Sequence, residues 1–236
     1  MIVEYVSVSE LLAAKGTKVQ VRKGETLFRE GDASTSVYSC LFGRIKIFVT
    51  TPATRDLLLG VKTPGQVFGE LSALDGRPRS AGATAMELSV VACMSSDQFL
   101  ESLQSAPVVA VELLRAMSEH LRRSNARIGA RDSESTTVRV GHLLVELGEK
   151  FQRHGASTAP LSSVSPVSSV SSVSSVSPSV DLPISQDELA SWIGASREAT
   201  ARSLAIFRRA GAVSTGRQRI TLHGLDRVLA VTMQAS

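Results

Sequence analysis

The chain has 236 residues, 43% of them apolar, and a formal charge of +4 from 26 basic and 22 acidic side chains. That length supports one or two domains, each with a full core. No run approaches the roughly 18 uninterrupted apolar residues of a membrane span, and so small a basic excess only weakly favours nucleic acid.

Other functional classes recede on motif grounds. Met1-Ile2-Val3-Glu4-Tyr5 has neither the basic start nor the apolar core of a signal peptide. Cys40 and Cys93 lie far apart in apolar surroundings, which fits buried free thiols in a reducing cytoplasm. Two cysteines cannot supply an all-cysteine iron–sulfur site. His120, His142, His154 and His223 show no metal-ligand spacing, and no Gly-x-Ser-x-Gly or phosphate-loop motif occurs. No metal and no enzymatic activity are expected.

In chain order, residues 8–14 read as a short helix anchored by Leu11 and Leu12. The period then changes to two. Val19 and Val21 alternate with polar neighbours, Lys23-Gly24 turns the chain, and Leu27-Phe28 begins another strand. Glu30-Gly31-Asp32 is a turn, Val37–Leu41 a strand, Gly43 a break, and Arg44–Val49 a further alternating run. Thr51-Pro52 reads as a hairpin turn, residues 55–61 as a strand, and Thr84–Met94 as the last apolar strand region. Short strands with Gly at the turns indicate an antiparallel sandwich or jelly roll.

One stretch interrupts the strands, Phe68-Gly69-Glu70-Leu71-Ser72-Ala73-Leu74-Asp75-Gly76-Arg77-Pro78-Arg79-Ser80-Ala81. The guanidinium of Arg79 is a planar fork of N–H donors suited to a phosphate, and free N–H groups at a short helix start suit the same anion. Glu70 can accept hydrogen bonds from hydroxyls such as those of a ribose. Taken alone, the pattern also fits a solvated Gly-rich turn with an ion pair.

Ser95 or Ser96 caps a helix that begins at Ser96-Asp97-Gln98-Phe99, and Pro107 opens a much longer one. Ala110, Leu114, Met117, Leu121, Ser124 and Ile128 fall at alternating spacings of four and three, flanked by Arg115, Glu119, Arg122, Arg123 and Arg127. That is an a/d seam for a partner helix; the alternative is an amphipathic helix lying on its own sheet. Residues 132–137 read as a hinge and a domain boundary, followed by a helix ending near His154-Gly155. Residues 161–180 hold eleven serines, six valines, two prolines, one leucine and no charge, which reads as a flexible or extended insertion. A self-pairing β-prone segment is the alternative.

The C-terminal part has a different signature. Ser185 and Glu188 form a capping box ahead of a helix, Gly194-Ala195-Ser196 is a tight turn, and Ser196 caps a second helix bearing Arg197, Glu198, Arg202, Arg208 and Arg209. Ser214–Leu222 follows as a two-strand wing with a basic tip containing Arg217 and Arg219. Helix, short turn and arginine-rich helix make a helix-turn-helix, whose second helix fits a major groove.

The Gly-Glu-Leu and Arg-Ser-Ala runs, Arg22-Lys23-Gly24-Glu25 before them, and Ser196-Arg197-Glu198-Ala199-Thr200 together resemble the cyclic-AMP receptor and Fnr (Crp–Fnr) family of bacterial transcription regulators. The resemblance covers nearly the whole chain except residues 155–180. It implies an α+β architecture: a cyclic-nucleotide-binding β-roll (a double-sheet jelly roll) over 1–106, a dimerisation helix over 107–131, and a winged helix-turn-helix over 138–236 carrying the 161–180 insertion. It further implies that cyclic AMP or a related cyclic nucleotide is the effector, with Glu70 on the ribose, Arg79 on the cyclic phosphate, and Gly69, Leu71, Ser80 and Ala81 around them. In the best-known members the long helix also touches the purine through a threonine–serine pair; the corresponding positions here are Arg127 and Ile128, which depart from that pair. Ser196, Arg197, Glu198 and Arg202 take the DNA-reading positions, with wing Arg217 and Arg219 on the backbone. The implied partners are a palindromic DNA operator, a second copy of the chain and RNA polymerase, in the cytoplasm. Two other readings stay open. The roll senses another ligand or none, or the chain is a nucleotide-binding module whose C-terminal domain meets protein.

Overall fold

The computed structural model describes residues 7–50, 56–155 and 179–235, with backbone alone at 127, 130–132 and 153–155. The chain forms two compact units, Met1–Gly129 and Ala130–Ser236.

The first unit runs α1 (Val8–Lys15), β1 (Thr17–Val21), β2 (Thr26–Phe28), β3 (Ser36–Phe42), β4 (Ile45–Thr50), β5 (Asp56–Lys62), β6 (Val67–Phe68), α2 (Glu70–Asp75), β7 (Gly82–Ala85), β8 (Ser89–Ser95), α3 (Ser96–Ser105) and most of α4 (Pro107–Ser133). Its strands make two antiparallel four-stranded sheets, β1-β8-β3-β6 and β2-β7-β4-β5. This is the expected double-sheet roll. Val21, Cys40, Ile45, Phe68, Ala83, Ala85 and Val91 form one apolar cluster of the roll. A second cluster joins Val37, Ala92 and Met94 to Leu11 and Leu12 of α1, Phe99 and Leu103 of α3, and Val109 and Leu113 of α4. Strand β8 contributes to both clusters, so it reads as a continuous apolar run rather than an alternating one.

Three expectations are revised here. The region Thr84–Met94 is two strands in different sheets, because the chain crosses between them at residues 86–88. Arg44 fixes that corner: its Nε and Nη2 donate to the two carboxylate oxygens of Glu87 at 2.6 and 2.9 Å. The six-residue seam on α4 also splits. Ala110 and Met117 pack on the roll's own core, whereas Leu114, Leu121 and Ile128 are 61%, 60% and 62% exposed. The exposed apolar line therefore runs through Val111 instead of Ala110. Finally, most of the segment 132–137, expected as a hinge, is helical: α4 continues through Ser133 and the next helix starts at Thr136, which leaves only residues 134 and 135 between them.

The second unit holds α5 (Thr136–Gly155), β9 (Val180–Leu182), α6 (Gln186–Ile193), α7 (Arg197–Arg209), β10 (Val213–Gly216), β11 (Arg219–Leu222) and α8 (Leu225–Gln234). Both predicted caps form. The Ser185 hydroxyl accepts from the Glu188 N–H while the Glu188 carboxylate accepts from the Ser185 N–H, and the Ser196 hydroxyl accepts from the Ala199 N–H at 3.1 Å. The wing gains a third strand that the sequence did not announce: Val180, at the end of the supposed insertion, pairs with Leu222 in the order β10-β11-β9. Helix α8, too, has no counterpart among the elements expected from the sequence. It packs on α5 at Gly141 and Gly148, where an added Cβ would run into Thr232 and Leu225. The Thr51-Pro52 turn and residues 161–178 of the Ser/Val segment lie outside the described residues.

Candidate functional site

Among the described residues Arg79 is the one buried charged side chain. Its backbone is tied to the β2–β3 turn, where its N–H donates to the Asp32 carbonyl at 2.9 Å and its carbonyl accepts from the Gly31 N–H at 2.8 Å. The side chain is 4% exposed. Nη1 donates to the Gly69 carbonyl at 2.7 Å and Nη2 to the Ser36 carbonyl at 2.5 Å. The guanidinium carbon lies 4.2 Å from the centre of the Phe28 ring and 5.8 Å from that of Tyr38. Those rings and Phe68 form a cluster with centroids 5.4 to 6.2 Å apart. Nε is buried without a hydrogen-bond partner.

Among the described residues no carboxylate forms an ion pair with Arg79. Burial lowers its proton affinity from the usual arginine value, while Tyr38, Cys93, Asp32 and Glu70 pull the other way. A buried cation held by two carbonyls and an aromatic face, without a paired anion, is an electrostatically incomplete arrangement. A bound anion would complete it. Burial likewise raises the Tyr38 hydroxyl's pKa, with nearby Cys93 adding to that and Arg79 opposing it.

The other expected residues surround this point. Gly69 precedes α2 at φ 77°, and an added Cβ there would sit 2.7 Å from Arg79 Nη1, so a glycine permits both the turn and the close approach. Glu70 is half-buried, and its carboxylate makes no hydrogen bond among the described residues. Ala81 is buried, whereas Leu71 and Ser80 are exposed. The intervening loop is held by Ser72 Oγ donating to the Pro78 carbonyl at 3.3 Å and by the Arg77 N–H donating to Asp75 Oδ1 at 3.0 Å. Ile128 lies on the exposed line of α4, and the side chain of Arg127 lies outside the described residues. The expectation named neither Phe28, Tyr38, Ser36 nor Asp32. Phe28 and Tyr38 carry only the signal of aromatic residues on strands, and the backbone carbonyls of Ser36 and Asp32 carry none. Among the described residues no group of three or more His, Cys, Asp or Glu is arranged to hold a metal ion.

In the second unit, α6 and α7 are joined by a turn at Gly194, φ 64°, where the Ala195 N–H returns to the Ala190 carbonyl at 3.0 Å. Arg139 of α5 donates to the Ile193 carbonyl at 2.9 Å and so closes the end of α6. Leu204 and Phe207 bury one face of α7, with Thr200 and Ser203 also buried and Ser203 Oγ 3.1 Å from Thr137 Oγ1. The opposite face presents Arg197, Glu198, Arg202, Arg208 and Arg209 to solvent. Arg197 Nε meets Asp187 Oδ1 of α6 at 2.6 Å. Glu198 titrates below the usual carboxylate range, because of its own backbone N–H first and the Ser196 hydroxyl next, with smaller help from Arg202 and Arg197. On the wing, Arg217 is exposed and Arg219 Nη1 lies 3.5 Å from Asp181 Oδ2. The geometry is that of a capped recognition helix and a basic ribbon displayed on one unit.

Comparison with known proteins yields two domain matches. Residues 18–106 match the cyclic nucleotide-binding domain, and residues 138–230 match the Crp-like helix-turn-helix domain. The chain is 27% identical over 212 residues to the CRP-like cAMP-activated global transcriptional regulator of Mycobacterium tuberculosis, covering 89% of this chain and 85% of that protein. It is 27% identical over 194 residues to the cyclic AMP receptor protein of Thermus thermophilus, covering 82% and 78%. Among solved structures, FixK2 from Bradyrhizobium japonicum shares the fold with a TM-score of 0.68 at 19% identity, over 92% of this chain and 96% of that one.

Proposed function

The chain belongs to the Crp–Fnr family of DNA-binding transcription regulators, and we propose that it works as a homodimer whose DNA affinity is set by a cyclic nucleotide, cyclic AMP or a close relative. The observation that carries the effector reading is Arg79, a buried guanidinium with an unpartnered Nε and no ion pair among the described residues. In the proposed complex the cyclic phosphate takes the Arg79 fork and Glu70 accepts from the ribose hydroxyls, with Gly69, Leu71, Ser80 and Ala81 forming the rim. Both M. tuberculosis and T. thermophilus relatives carry cyclic AMP in their names. The exposed apolar line Leu114, Leu121 and Ile128 supports a paired α4, because three large apolar side chains seven residues apart on one helix call for a partner surface.

Mechanistically, an anion at Arg79 competes with the Gly69 and Ser36 carbonyls for the guanidinium. Gly69 is the residue immediately before α2, so a shift of that contact moves the start of α2. The nucleotide favours the dimer population in which two recognition helices are about one DNA turn apart. Arg197, Glu198 and Arg202 read base edges, with a guanine for Arg197 and a cytosine for Glu198 in each half-site. Wing Arg217 and Arg219 contact phosphates and set position. The reading places the protein in the cytoplasm with its DNA and RNA polymerase.

A second reading keeps the DNA binding and discards the nucleotide. It is favoured by the same geometry seen from the other side: both Nη atoms of Arg79 already have carbonyl partners, a ring covers its face, and Ile128 stands where a purine-contacting hydroxyl is expected. Isothermal titration with cyclic AMP separates the two. Saturable binding lost in Arg79→Ala supports the first, and no heat with the wild type favours the second.

A further inference from the structure

We propose that Asp187 is a positioning residue that aims Arg197 at its base, a role that rests on the DNA-reading proposal above. Asp187 is the second residue of α6 and Arg197 the first of α7, and both helix starts are locked by side-chain caps, Ser185 with Glu188 in one and Ser196 in the other. Between them Asp187 Oδ1 meets Arg197 Nε at 2.6 Å.

The atom engaged decides the consequence. Arginine recognises guanine through two N–H donors directed at O6 and N7. The ion pair with Asp187 is made at Nε, at 2.6 Å, and neither Nη1 nor Nη2 makes a hydrogen bond among the described residues, so both keep their N–H donors for the base. Arg202 and Arg217, also exposed, make no ion pair among the described residues. Both members of the pair are exposed, 69% and 54%. Such a pair contributes little to folding stability. Its effect is to restrict a long side chain to one direction before DNA arrives, so less rotamer entropy is lost on binding. In the groove, where water is excluded, the same ion pair strengthens. The Asp187 carboxylate also repels phosphates, so it lowers affinity for arbitrary DNA while favouring the sequence Arg197 reads. Specificity gains from both.

The test selects DNA from a randomised duplex library with full-length wild type, Asp187→Ala, Asp187→Asn and Arg197→Ala. Binding constants follow on the best wild-type site and its single-base-pair variants. The base pair whose preference disappears in Arg197→Ala is the one Asp187 should influence. Asp187→Ala is expected to bind random duplex at least as tightly as wild type, yet to lose on the order of tenfold of the discrimination at that base pair. Asp187→Asn, which can still accept from Nε, restores most of it, and Asp187→Ala adds nothing in the Arg197→Ala background. A merely structural role would instead weaken every sequence alike. If Asp187→Ala keeps the discrimination, or loses affinity uniformly with an unchanged melting curve, this inference is overturned while DNA reading stands. If Asp187→Ala does not fold, Asp187→Asn decides: tighter binding to random duplex with discrimination kept supports the inference, and unchanged binding to both overturns it. A wild type that enriches no sequence overturns DNA reading and this inference together.

Discussion

At Arg79, one guanidinium meets two carbonyls, an aromatic ring and, among the described residues, no carboxylate. Lysine cannot reproduce that fork, because a point ammonium does not span two acceptors and a phosphate in one plane. Arg79→Lys is therefore expected to lose about tenfold or more in nucleotide affinity while the recognition helix still binds DNA, measured by calorimetry and anisotropy on the same preparation. A different residue-scale prediction concerns Cys40. Its thiol points to the Phe42 and Gly43 carbonyls at 3.5 and 3.4 Å, and burial pushes its pKa from 9.0 up to about 12. The folded state thus keeps this proton where the unfolded chain releases it. The stability involved is fully present below pH 9.0 and is lost as pH rises toward about 12. The urea midpoint of wild type should fall more steeply above pH 9.0 than that of Cys40→Ala; parallel curves would contradict the assignment. Arg79 and Glu70 were legible as a pair because a guanidinium and a carboxylate near small residues signal chemistry. The Phe28 and Tyr38 rings and the Ser36 carbonyl were not. Aromatic residues on strands read as core, and a backbone acceptor has no sequence signature.

Elements were legible where a local rule fixes them. The capping box at Ser185 and the cap at Ser196 follow from side chains three residues from their targets, so both appear as expected. Replacing Ser185 by alanine leaves the Glu188 N–H without its cap, and should cost about 1 kcal/mol of stability in the second unit. Chemical denaturation measures it. What local rules could not supply was pairing at long range. Nothing in Val180-Asp181-Leu182 distinguishes a third wing strand from the tail of a Ser/Val-rich run. The crossing at residues 86–88 hides inside an apolar stretch because β8 is covered on both faces. Helix α8 went unseen although its contact surface is marked by Gly141 and Gly148, whose meaning appears only once Thr232 and Leu225 lie against them. Gly141→Val should destabilise the second unit by about 1–3 kcal/mol through overpacking; an unchanged denaturation midpoint would show that α8 does not hold this position.

For the whole molecule, the four-three periodicity of α4 divides between the roll's own core and an exposed line. A four-three spacing fits two stripes one residue apart, and only folding shows that Ala110 and Met117 turn to the roll while Leu114, Leu121 and Ile128 face out. Leu121→Glu is accordingly predicted to convert a dimer into a monomer in light scattering, and to weaken operator binding with the recognition helix intact. Control of DNA binding by the roll is tested by fluorescence anisotropy of the purified full chain on its own promoter fragment. The titration is run with and without cyclic AMP, at fixed salt, against a scrambled duplex. Selective binding to the promoter is expected, tightening markedly when cyclic AMP is present. Binding that neither distinguishes promoter from scrambled DNA nor responds to the nucleotide would contradict it.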